Sequence, residues 1–166
     1  MKKIAILMGS DSDAEVMKQA WETIREFGVQ TEVRVLSAHR TPDETVAFAK
    51  AAKDNGFGVI IAAAGGAAHL AGVIAAVTSL PVIGVPIMSK STSGLDSLLS
   101  MVQMPKGIPV ATVAIDGSKN AGLLALRILG VHDDDIFNKY EKFRQDQATE
   151  VKQKDLKLQE KLKSDQ

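Results

Sequence analysis

Short apolar runs alternate with segments of helical periodicity along most of this chain. Lys3–Met8 is almost wholly apolar after its first residue and predicts a first strand. From Asp13 to Phe27, Val16, Met17, Ala20, Trp21 and Ile24 recur at the spacing of one helical face, and Gly28 ends the segment. Glu32–Leu36, with Val33 and Val35 flanking Arg34, predicts a second strand. A second helix opens at Thr41-Pro42-Asp43-Glu44 and closes at Asn55-Gly56. Thr41 suits the N-cap, Pro42 the first helical position, and Glu44 completes a capping box.

Val59–Ala63 is apolar throughout, as a central parallel strand covered on both faces would be. A third helix over about Ala67–Thr78 is apolar nearly all round. A strand near Val82–Val85, a helix near Leu95–Gln103, a strand near Val110–Ile115 and a helix over about Ala121–Leu129 follow. Such a β-α repeat with short connections predicts an α/β fold, a parallel sheet with helices on both faces. From about Asp133 the composition turns charged. Ile136, Phe137, Tyr140 and Phe143 can form one apolar stripe, so the expectation is a docked C-terminal helix followed by a charged end that frays or packs on a neighbour.

The 166 residues suit a single domain, 1–166, with a core over about 1–130 and the C-terminal helix and tail over about 133–166. Twenty basic and twenty acidic side chains give no net charge, which argues against nucleic-acid and anionic-membrane partners. The chain has no cysteine, which excludes a disulfide framework, a thiolate metal site and a cysteine nucleophile, and suits a reducing, cytoplasmic compartment. The apolar start ends at Gly9-Ser10-Asp11, too early for a secretory core, and Gly65-Gly66 and His69 interrupt the run that comes nearest to a membrane span.

In an open α/β sheet, ligands bind beyond the carboxyl ends of the strands, where the strand order reverses. That directs attention to three loops. After the first strand, Gly9-Ser10-Asp11-Ser12-Asp13 offers a tight turn, two hydroxyls beside a helix start that favours anions, and a carboxylate for capping or for sugar hydroxyls. After the second, Ser37-Ala38-His39-Arg40-Thr41-Pro42 offers a guanidinium and a serine for a phosphate, and a histidine, a residue type suited to proton transfer. After the third, Ala64-Gly65-Gly66-Ala67-Ala68-His69-Leu70 lets backbone approach a ligand closely. Taken singly, each loop also fits an ordinary turn, and both histidines fit packing roles. Together they describe a site for a phosphorylated small molecule with acid–base chemistry. Neither a His-Glu-x-x-His metal motif nor a Gly-x-Ser-x-Gly nucleophile elbow occurs.

These three loops, with Gly84-Val85-Pro86, Gly94-Leu95-Asp96-Ser97-Leu98-Leu99-Ser100 and Gln103-Met104-Pro105-Lys106-Gly107-Ile108-Pro109-Val110-Ala111-Thr112, resemble the N5-carboxyaminoimidazole ribonucleotide mutases of purine synthesis. The resemblance covers about residues 3–130; Ala71 stands where many members have proline. It implies a flavodoxin-like three-layer α/β/α fold, a homo-octamer with sites at subunit junctions, and a third helix packed between subunits. It implies that Ser10, Ser12, Ser37 and Arg40 hold the phosphate and Asp13 the ribose, with His39 as the acid–base group near Gly65, Gly66 and His69. It also implies that the substrate is a phosphorylated imidazole nucleotide and that no ATP, metal or biotin cofactor takes part. The alternatives are a direct aminoimidazole ribonucleotide carboxylase and a non-catalytic flavodoxin-like nucleotide- or flavin-binding module, the flavin form weakened by a single Trp and a single Tyr.

Overall fold

Side-chain alternation along the first strand sorts the whole molecule into layers. The structure is a computed structural model, and it describes residues 2–164. Strands β1 (Lys3–Met8), β2 (Thr31–Val35), β3 (Phe57–Gly65), β4 (Val82–Ile87) and β5 (Ala111–Thr112) form one sheet in the order β2-β1-β3-β4-β5, all neighbours parallel. The helices are α1 (Ala14–Glu26), α2 (Pro42–Ala51), α3 (Leu70–Ala75), α4 (Leu95–Val102), α5 (Ser118–Gly130) and α6 (Asp134–Ser164).

Ile4, Ile6 and Met8 of β1 face one side of the sheet, where they pack with Met17, Ala20 and Ile24 of α1, Ala121, Ala125 and Leu126 of α5, and Ile136 of α6. Ala5 and Leu7 face the other side, against Ala49 of α2, Leu70 and Ile74 of α3, and Met101 of α4. Two cores on opposite faces of a parallel sheet make the expected three-layer, flavodoxin-like architecture. Each fully buried isoleucine or leucine contributes about 1.5–3 kcal/mol, so the central strands carry much of the stability.

Element limits depart from the sequence expectation where side chains compete for the backbone. Thr41 makes no capping hydrogen bond. Its hydroxyl accepts from the Ser37 N–H at 3.0 Å and lies 3.2 Å from the Ser37 carbonyl, so the expected capping box does not form. Asp13 does not cap α1 through its side chain either; Asp11–Asp13 forms a separate 3-10 turn, which Ser10 caps by accepting from the Ser12 N–H. β3 runs on to Gly65, and Gly66 then adopts φ +64, which holds the chain out of helix until Leu70. α3 is thus half the expected length, with His69 flanking it rather than inside its first turn. Leu70, Ala71 and Ile74 bury their side chains inside this subunit, so the apolar character of α3 is accounted for by its own core.

β5 has only two paired residues. Beyond it the Val113 N–H still reaches the Gly84 carbonyl, but Asp116, at φ +55, turns the chain toward α5. At the other end, α6 keeps its helix through 31 residues instead of fraying. It contains no Gly or Pro, and Lys139–Asp135, Lys142–Asp146 and Lys154–Glu150 pair along its surface at i,i+4 spacing. Ile136, Tyr140 and Phe143 dock its first turns, where Phe27 meets both aromatic rings; from Arg144 onward its side chains are exposed. Among the described residues, no helix is long and apolar enough to cross a membrane.

Candidate active site

The sheet order reverses between β1 and β3, and the loops after β1, β2 and β3 meet at that point. The three strand ends are in register: Met8 pairs with Val35 on one side and Ala63 on the other, the Leu36 N–H donates to the Met8 carbonyl, and the Gly9 N–H donates to the Ala63 carbonyl. The loops that leave these ends enclose a cavity of about 380 Å³.

Ser10, Ser12 and Asp13 line it from the first loop, Ser37, His39 and Arg40 from the second, and Gly65 from the third. Gly9, Ala38, Ala64, Ala68 and Leu70 complete the wall. Seven of the nine residues singled out from the sequence therefore share one cavity. Gly66 and His69 do not line it. Gly66 makes the turn beside it, and the His69 imidazole folds back over Gly72. The apolar contributors Ala68 and Leu70 carried no chemical signal of their own; only their place in a loop at the sheet edge pointed to them.

Polar groups in the cavity are already tied to one another. The Ser12 hydroxyl lies 2.9 Å from the Ser10 hydroxyl and 3.2 Å from the Asp13 carboxylate. Arg40 donates through Nη2 to the Gly9 carbonyl at 2.7 Å, and its backbone N–H and Nε both reach the Ser37 hydroxyl. Three hydroxyls and a guanidinium on two adjoining loops suit an anion such as a phosphate monoester. Asp13 is buried, and desolvation raises its carboxyl above the ordinary value, against hydrogen bonds from Ser12 and Ser10 that lower it. A buried carboxylate with free acceptor capacity is suited to paired sugar hydroxyls. His39 lines the cavity and is exposed.

The AIR carboxylase family profile matches residues 3–150. The chain belongs to the AIR carboxylase family. An N5-carboxyaminoimidazole ribonucleotide mutase of Pyrococcus horikoshii is 57% identical over 157 residues, 95% of this chain and 89% of that protein. The Saccharolobus solfataricus protein of the same name is 57% identical over 151 residues, 91% of this chain and 96% of the relative. The crystal structure of Treponema denticola PurE is 29% identical, superposes with a TM-score of 0.85, and spans 95% of this chain and 99% of that one. The cavity at the β1/β3 reversal thus belongs to an AIR carboxylase family fold, and a purely non-catalytic flavodoxin-like module is set aside.

Proposed function

We propose that this chain is an N5-carboxyaminoimidazole ribonucleotide mutase, an isomerase of purine synthesis. The observation that carries the reading is the single cavity shared by an anion cradle, a carboxylate and a histidine at the sheet reversal, in a chain so close to mutase relatives along their length. Ser10, Ser12, Ser37 and Arg40 take the phosphate, Asp13 takes the ribose hydroxyls, and Gly65 lets the imidazole ring lie against backbone.

The reaction moves a carboxylate from the exocyclic nitrogen to C4. Breaking the N–C bond releases carbon dioxide and requires a proton on the nitrogen. The ring carbon then attacks the retained carbon dioxide, and C4 gives up its proton. His39 donates the first proton and recovers the second, so the enzyme ends as it began and no cofactor is consumed. Retaining carbon dioxide requires a cavity closed to bulk solvent.

Closure is the reason to propose that copies of the chain assemble, an octamer being the state the family resemblance implies. Leu95, Leu99 and Val102 lie along one face of α4 at i, i+4, i+7 spacing, each about half exposed, and Met88 is exposed in the turn before them. A neighbour packed there would bury that face. A cysteine-free chain acting on a purine precursor fits the cytoplasm.

The deciding assay offers the pure protein N5-carboxyaminoimidazole ribonucleotide, or the uncarboxylated nucleotide with bicarbonate. Rapid conversion of only the first is expected. Efficient use of the second at modest bicarbonate would make the protein a direct carboxylase, and inertness to both would overturn the enzymatic reading.

A further inference from the structure

The residues on either side of His69, Ala68 and Leu70, both face the cavity, yet His69 does not. It occupies the N-cap position of α3 without making the capping hydrogen bond that position offers. Its ring lies against the α-carbon of Gly72, one helical turn on. A Cβ at Gly72 would overlap Nε2, Cε1 and Cδ2 of the imidazole, so only glycine leaves room for the ring. Nδ1 is buried and makes no hydrogen bond among the described residues.

We propose that His69 is a positioning residue: seated on the bare α-carbon of Gly72, its imidazole sets the part of the cavity wall formed by Gly65 and Ala68 without touching the nucleotide. The proposal rests on the mutase reading for its kinetic consequence and on the niche alone for its structural one. The ring and Gly72 form a lock between the end of the glycine loop and the first turn of α3. Because Leu70 and Ala71 anchor that turn in the core, the lock transmits a fixed position to Ala68, and through it to the surface on which the ring of the substrate rests. The residues proposed to hold the phosphate lie on the other two loops.

The test is a set of variants at the two positions, read by thermal melting and by steady-state kinetics on N5-carboxyaminoimidazole ribonucleotide. His69→Ala empties the niche, and Gly72→Ala evicts the ring. Each is expected to lower kcat about tenfold or more with KM changed less than about threefold, since the chemical step and not phosphate binding depends on the wall. The double variant is expected to be no worse than His69→Ala alone, because Gly72 has nothing to accommodate once the ring is gone. His69→Leu fills the niche with no hydrogen-bonding atom, and is expected to keep kcat within about fivefold of the parent. A His69→Leu protein as slow as His69→Ala, with KM raised in both, would mean that the imidazole contacts the nucleotide and would overturn the proposal. Additive losses of melting temperature in the double variant would overturn the niche itself, whatever the turnover. A parent protein inert to the nucleotide, with the melting cycle still non-additive, would sink the mutase reading and leave the niche standing.

Discussion

The Arg40 guanidinium donates to the Gly9 carbonyl at 2.7 Å, across 31 residues of chain, and so ties the loop after β2 to the loop after β1. The same side chain reaches the Ser37 hydroxyl through Nε. It is therefore held beside Ser10 and Ser12 before any ligand arrives, and little side-chain freedom remains to be lost on binding. Two parts of the proposed anion site that are distant in sequence are joined by one planar, forked group.

Arg40→Lys keeps the charge but not the fork. It is expected to raise KM for the nucleotide about tenfold or more while kcat changes less, because one point charge cannot hold the Gly9 carbonyl and a phosphate together. Steady-state kinetics checks this; an unchanged KM would remove Arg40 from the phosphate site.

His39→Asn removes the proposed proton carrier and leaves the proposed binding groups in place. A fall in kcat of about 10²- to 10⁴-fold is expected. The His39 side chain is exposed, so the melting temperature should stay within a degree or two of the parent, about the effect of a neutral surface change. Full turnover in a folded His39→Asn protein would assign proton transfer elsewhere.

Asp13 gives a prediction in pH. Burial raises its carboxyl above the ordinary 3.8. Between 3.8 and the raised value, the folded protein holds a proton that the unfolded chain has released, so stability falls as pH rises through that window. At neutral pH the carboxylate carries the whole penalty. Asp13→Asn, which does not ionise, should melt higher than the parent at pH 7, with the difference shrinking toward pH 4. It should also lose about tenfold or more in nucleotide affinity as the ribose hydroxyls lose an ionised acceptor. Melting curves across pH and calorimetric titration measure the two effects separately.

Leu99→Glu puts a charge in the middle of the exposed apolar face of α4. The particle mass from light scattering is expected to fall to half or less, with activity falling alongside it. Melting of the subunit itself should change little, since Leu99 is about half exposed and belongs to neither core. A full-sized particle would move the interface to another face.

The strands were legible because β1 and β3 are apolar runs bounded by glycine and polar loops, and that pattern has few alternative readings. The site was legible for a related reason: Ser10, Asp13, His39 and Arg40 stand in loops, where such side chains serve no core. What the sequence did not reveal lay in side chains that choose among backbone partners. Thr41 had the right identity and position to cap α2, but its hydroxyl pairs with Ser37 instead. His69 is chemically suited to a ligand, and only the bare α-carbon of Gly72 shows where its ring goes. The reach of α6 was hidden because charge density alone does not distinguish a solvated helix from a frayed tail.

Every residue that lines the cavity falls between Gly9 and Leu70. The remaining strands and helices, from β4 onward, contribute none of it. The lining of the candidate site is thus written in the first seventy residues, together with the three strands that carry it. Mutations after Leu70 leave the lining itself unaltered and reach the site only at one remove, as Gly72 does through the His69 ring, so a change in the shape of the cavity wall would have to be sought within the first seventy or so codons.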